Sequence, residues 1–337
     1  MQDYEPDDVD FGLIHALQIE PRASWKVLAP ILAVDPVTLS RRYQRLRDTG
    51  LIWVTGYDAG TPGRGALVEI ECAPGQSAAT AEAMSEDPVV AGIDFTAGGR
   101  DLLLTLMAQD SAETSQFLLH RLGEYPEIRR ARTHLITEVL FEAGNWRLRT
   151  LSAVQAARVP GPRPPRPRAA RTVSPDLKRV IHHELGIDGR AATTAIAERA
   201  GVSNQRITDA IATMRRDGSL LLRTDIARTY SEWPIYAWYF MQVPAPLIER
   251  LRTSLGRIEE VRLAVLVASE YNLIMAVWLR TLNDVHRFEL LLEKILPGSR
   301  VADRSVVMQI GKHLGHILDE RGRAAGPVVP VTPPGRA

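Results

Sequence analysis

Two stretches of the chain read as copies of each other: LQIEPRASWKVLAPILAVDPVTLSRRYQRLRDTGLI from Leu17 and LGIDGRAATTAIAERAGVSNQRITDAIATMRRDGSL from Leu185. They align without a gap, and Arg22 meets Arg190, Ala29 meets Ala197, Val34 meets Val202 and Gly50 meets Gly218 at a constant offset of 168. Such a repeat fixes domain boundaries better than local propensity does. Each copy predicts three helices. In the first, Phe11, Ile14 and Leu17 share one face, Val27, Leu28 and Ile31 a second, and Leu39, Tyr43 and Leu46 a third. Asp35 is placed to cap the third helix, Pro36 fits its first turn, Gly50 stops it, and LIWV after Gly50 suits a wing strand. In the second copy Ser203 is the cap, Ile207, Ile211 and Met214 the buried stripe, and Gly218 the stop. A short second helix, a tight turn over Ala33 to Asp35 and a third helix make a helix-turn-helix.

After each three-helix unit the apolar period changes from helical to strand-like. Strands are predicted at Ala66–Ala73, Val89–Thr96, Asp101–Ala108 and Ile128–Phe141, with helices at Gln76–Glu86 and Ser111–Gly123. The second half repeats this βαββαβ order. Its strands are Ile235–Val243, Ile258–Val267, Tyr271–Leu279 and Ser299–Ile310, and its helices Pro246–Leu255 and Leu282–Leu296. The pattern is ferredoxin-like, an antiparallel sheet with helices on one face, and the class is α+β. The run YAWYFMQV from Tyr236 is apolar on both faces, so the open face of the second sheet needs a partner. The expected boundaries are 1–58 and 59–150 for the first pair of units, 151–174 for a Pro/Arg-rich linker, 175–227 and 228–323 for the second pair, and 324–337 for a disordered tail. Like charges should keep the linker an extended, solvated spacer.

With 45% hydrophobic and 24% charged residues, the composition is that of a folded globular chain rather than a disordered one. A net charge of +1 leaves any nucleic-acid affinity to local clusters. The opening MQDYEPDDVD is acidic where a secretory signal would be apolar, and no apolar run approaches membrane-spanning length, so the expectation is a cytoplasmic protein without membrane contact. The single cysteine, Cys72, lies in the alternating run ALVEIEC and reads as a buried strand thiol. His313 and His316 could share a face, but no third metal ligand accompanies them. No nucleophile, acid and base cluster, phosphate loop or dinucleotide fingerprint is found. The sequence therefore predicts no enzyme, cofactor or metal.

The layout resembles the Lrp/AsnC (leucine-responsive regulator) family in a duplicated, single-chain form. The resemblance is carried by Leu17 to Arg22, by the third helix with Arg41, Arg42, Leu46 and Gly50, and by the turn Gly98-Gly99-Arg100-Asp101 with the following strand Leu102 to Leu106. It implies a winged helix that reads double-stranded DNA, and a βαββαβ domain, called RAM, that dimerises and binds a small effector, often an amino acid. Homodimers or higher homo-oligomers are implied as well. The expected DNA-binding residues are Thr38, Ser40, Arg41, Arg42, Gln44, Arg45 and Arg47, with Arg42 equally open to a bracing role. The expected effector-binding residues are Gly98, Gly99, Arg100 and Asp101.

The two halves differ where function would reside. Thr38 to Arg47 carries four arginines and no acid, whereas Arg206 to Arg215 carries two arginines and one aspartate. Arg41, Arg42 and Arg45 meet Asp209, Ala210 and Thr213, so the second helix should bind DNA weakly at best. Gly98 and Asp101 meet Ser269 and Asn272 at an offset of 171, which predicts an altered or absent second pocket. The expected function is sequence-specific DNA-binding transcription regulation under a small effector. The alternative is a small-molecule sensor or interaction protein that has lost DNA binding.

Overall fold

Helix α1 (Asp8–Ile19) is opened by a capping box between Asp7 and Asp10, and α2 (Trp25–Leu32) ends where Ala33 turns left-handed. Helix α3 (Pro36–Asp48) starts on Asp35, whose carboxylate accepts from the amides of Val37 and Thr38, and Gly50, at φ +70°, lets the chain turn into strand β1 (Ile52–Tyr57). Leu39, Tyr43 and Leu46 point inward as their spacing predicted. The computed structural model describes residues 4–58, 64–255 and 258–331.

A first βαββαβ run follows: β2 (Gly65–Cys72), α4 (Ser77–Ser85), β3 (Val90–Thr96), β4 (Leu102–Met107), α5 (Ser111–Leu119) and β5 (Ile128–Phe141). After α6 (Ala153–Arg158), a second three-helix unit comprises α7 (Pro175–Ile187), α8 (Thr193–Arg199) and α9 (Asn204–Arg216), with strand β6 (Leu221–Ile226) behind it. The second βαββαβ run is β7 (Ile235–Gln242), α10 (Ala245–Ser254), β8 (Val261–Ala268), β9 (Leu273–Leu279), α11 (Asp284–Ile295) and β10 (Arg300–His313). The short strands β11 (His316–Leu318) and β12 (Ala324–Val328) come last. The expected elements are all found, with ends displaced by a few residues at most.

Each βαββαβ run folds into an antiparallel sheet in the order fourth, first, third, second strand, and the two sheets join edge to edge. Strand β5 pairs with β8, and β10 pairs with β3 as well as with its own neighbour β7. Eight strands thus close into one ring. The open faces meet inside it, with Tyr236, Trp238 and Phe240 buried in the same apolar cluster as Leu67 and Leu103. Ala237, Tyr239 and Met241 face the other way, into the layer beneath α10 and α11. The sequence anticipated faces in contact; it did not anticipate the zipped edges.

The two three-helix units also join. The wing strand β1 pairs antiparallel with β6 of the other unit, from Ile52 opposite Ile226 to Tyr57 opposite Leu221. Arg22 donates to the carbonyls of Gly189 (2.7 Å) and Ala191 (2.9 Å), and Arg190 donates in return to those of Pro21 and Ala23 (3.1 Å to the latter). The arginine shared by the two copies is therefore a reciprocal clasp. Arg215 adds a pair with Glu20 at 2.8 Å.

Two expectations are corrected. The linker is docked rather than solvated: Ser152 caps α6, Gln155 donates to the carbonyl of Ile31 at 3.1 Å, Leu151 and Val159 are buried, and Arg166 pairs with Asp209 at 2.7 Å. The tail is ordered through β12, because Leu318 and His316 offer it an edge and Ala324 donates to the carbonyl of Gly50 at 2.9 Å. The part of the expected disordered tail at 332–337 lies outside the described residues.

Candidate functional site

Helix α3 presents an exposed face. Arg41, Gln44 and Arg45 are exposed and spaced to lie together, with Thr38 and Ser40 half-buried at its margin. Arg41 has no ion-pair or hydrogen-bond partner among the described residues. Gln44 donates to Asp48 (2.6 Å), the Arg45 guanidinium lies over the Tyr4 ring (5.2 Å), and exposed Arg47 pairs with Asp188 (2.9 Å). Arg42 is set apart from this group. It bridges Asp7 (2.8 Å) and Asp10 (3.0 Å), which raises its pKa and ties α3 to the start of α1. Of its two open roles, the bracing one is the one this geometry uses.

Helix α9 is covered where α3 is open. Asp209, opposite number of Arg41, is held by both arms of Arg166 (2.7 to 3.2 Å), and Thr213, opposite number of Arg45, is buried and donates to the carbonyl of Ala170 (3.4 Å). The docked linker accounts for both departures from arginine.

At the β3–β4 turn, Gly98 (φ +115°) and Gly99 are exposed, but the two residues after them are committed to the fold. The Arg100 side chain, 2% exposed, binds Glu69 through Nε at 2.7 Å, meets Ser305 and Asp303 on the opposite half, and lies over the Phe240 ring at 4.3 Å. Burial raises the Glu69 pKa, but His134 and Arg100 more than offset this and hold the carboxyl below its usual range. Asp101 accepts from the amide of Cys72 at 2.7 Å, and Asn272 accepts from that of Val243 at 2.8 Å. Cys72 and Val243 are themselves equivalent at the 171 offset, so the aspartate-to-asparagine change keeps a backbone brace. The turn brings the four expected effector residues close in sequence without aiming Arg100 or Asp101 at a shared opening.

What the sequence reading missed is a cavity of about 740 Å³ inside the strand ring, reaching the β1–β6 ribbon. Trp238, Trp278, Tyr236, Val265 and Ile310 form its apolar walls, and Asp94, Arg223, Asp225, Arg228, Arg262 and His313 its polar ones. Asp225 pairs with Arg223 (2.6 Å) and Arg262 (3.5 Å), while Arg262 sits over Trp278 (3.8 Å) and Trp146 (4.4 Å). Burial, reinforced by Arg223, pulls the Arg262 pKa down to about 9, and burial lifts Asp94 to about 6. Burial also works against ionised Asp225, yet Arg223, His313 and Arg262 hold it well below the carboxylate range. A sequence signal existed. LRTDIAR from Leu222 and VRLAVLV from Val261 set charges inside otherwise apolar strand runs, and a buried charge demands a reason.

Residues 65–146 match the Lrp/AsnC ligand binding domain family. The HTH-type transcriptional regulator AldR of Mycolicibacterium smegmatis is 28% identical over 141 residues, covering 40% of this chain and 82% of that protein. An uncharacterised HTH-type transcriptional regulator of Pyrococcus furiosus is 24% identical over 142 residues, covering 40% of this chain and 93% of that one. The fold of nearly the whole chain is shared with the siroheme decarboxylase NirDL, at a TM-score of 0.57 and 13% identity over 90% of this chain and 92% of that one. Residues 65–146 thus resemble an Lrp/AsnC ligand binding domain, in a chain similar over some 140 residues to HTH-type transcriptional regulators.

Proposed function

We propose that the chain is a duplicated, single-chain transcription regulator with tandem winged helix-turn-helix units, in which α3 reads DNA and the strand ring holds a small effector in the cytoplasm. The asymmetry of the third helices carries this reading: α3 offers Arg41, Gln44 and Arg45 to solvent, whereas α9 is roofed by the linker. One usable recognition helix per chain calls for two chains on a palindromic site. The cavity, rather than the Gly98–Asp101 turn, receives the effector, because Arg100 and Asp101 are spent on the fold. Strand β6 lines that cavity through Arg223 and pairs with β1, which follows α3 directly, so occupancy has a short path to the DNA-reading helix.

Fluorescence anisotropy on an operator fragment at several salt concentrations tests the assignment. Arg41→Ala is expected to cost about 1–3 kcal/mol and to relax specificity at one base pair. Arg45→Ala should weaken all sequences and flatten the salt dependence by about one unit. Asp209→Ala and Thr213→Val should leave DNA affinity unchanged. Loss of binding in the second-half variants, with Arg41→Ala and Arg45→Ala intact, would overturn the reading.

A second reading, catalysis in the cavity, is favoured by the whole-chain likeness to NirDL, whose named activity is a decarboxylation. Mass analysis of bound ligand after incubation separates the two, since a regulator returns its effector unchanged.

A further inference from the structure

Five buried polar atoms on residues around the cavity lack a hydrogen-bond partner: Nε of Arg223, Nε of Arg228, Nε2 of His313, Nε1 of Trp53 and Oδ2 of Asp225. Leaving such a group unsatisfied is costly, so a cluster of them beside a cavity favours a polar occupant. Three of the five are nitrogens that can only donate, and His313 Nε2 can do so as well, which calls for a ligand rich in acceptors. The lining is mixed in charge. Beside Arg223, Arg228 and Arg262 stand Asp94, Glu142 and Asp225, and each of these carboxylates is already engaged, Asp225 by Arg223, Asp94 by the Trp238 indole at 2.8 Å and Glu142 by the Tyr57 hydroxyl. Arg228 has no ion pair among the described residues. The volume, about 740 Å³, lies within the ~300–1,000 Å³ common for drug-sized ligands. The indoles of Trp238 and Trp278, side by side on the same face of β7 and β9, offer one wall that suits a flat apolar body.

We propose that the cavity binds a flat, apolar acid bearing at least two carboxylates, its carboxylates on Arg228, Arg223 and Arg262 and its body against Trp238 and Trp278. This rests on the reading that the ring holds the effector, and it names the effector's chemical class.

The test uses the full chain, with naphthalene-2,6-dicarboxylate, 2-naphthoate and L-leucine as probes, and follows tryptophan fluorescence and titration heat. The dicarboxylate should bind saturably at one molecule per chain, about tenfold or more tighter than 2-naphthoate, and leucine should not compete. Arg228→Met should weaken the dicarboxylate by about tenfold or more at an unchanged melting temperature, with Arg228→Lys in between. Arg262→Met serves as a second variant where it folds. No saturable binding, equal affinity for one and two carboxylates, binding indifferent to Arg228→Met, or leucine in preference would each overturn the proposal. Operator affinity of the ligand-free chain is measured alongside. Its absence would sink the regulator reading while leaving the dicarboxylate result to stand.

Discussion

Replacing Arg100 with alanine is expected to destabilise the chain by about 3–5 kcal/mol, the cost of stripping one partner from a buried ion pair. The guanidinium is enclosed and binds Glu69, itself only 8% exposed, while its other arm crosses to Ser305 and Asp303 in the second half. Truncation leaves Glu69 with His134 at 2.7 Å and the distant Arg132 at 3.9 Å, and opens a gap against Phe240. Urea unfolding followed by circular dichroism measures the loss. The double variant Arg100→Met, Glu69→Gln should recover much of it, because the orphaned charge has gone. Asp101→Ala, which removes one hydrogen bond to Cys72, should cost far less, about 1–3 kcal/mol. If Arg100→Ala kept full stability and instead abolished effector binding, the residue would be a ligand contact after all.

Acidification should weaken the fold between pH 6.5 and 4. Burial pushes His15 and His316 down to about 4, and their imidazoles face the Leu151 amide at 2.9 Å and the Thr55 hydroxyl at 3.0 Å. A histidine with a depressed pKa binds its proton first in the unfolded chain, so its contribution is complete above about 6.5 and lost on the way down. Asp94 acts in the opposite sense: lifted to about 6, it is protonated first in the folded chain and returns some stability below that pH. Two histidines outweigh one carboxyl, and a net loss of about 3–4 kcal/mol by pH 4 is expected. Urea midpoints across this range check the sign, and His316→Gln should flatten the slope. A midpoint that stays level or rises on acidification would contradict the burial of both rings.

The elements were legible because each rests on local chemistry: the Asp35 cap with Pro36, the Leu39, Tyr43 and Leu46 stripe, and the glycines that stop α3 and α9. The candidate site was legible only in part. Arg41 and Arg45 lie on an exposed face of α3, which helical spacing alone decides. Arg42, Arg100 and Asp101 depend on partners such as Asp7, Glu69 and the Cys72 amide, which folding brings together from up to 35 residues away in sequence. The cavity was hidden for the same reason. Its walls come from both halves, and neither half alone encloses anything.

Closing the eight-strand ring within one polypeptide has a consequence for its assembly in the cell. When two separate subunits must meet to form such a ring, dilution competes with assembly, and the fraction of formed sites follows copy number. Here β5 finds β8 and β10 finds β3 within the same chain. Formation of the cavity is unimolecular, so the fraction of chains that hold it should be the same in a cell with a few copies as in one with thousands. Tethering also bars mixed rings with related subunits, and a change in α9 leaves no ring unpaired.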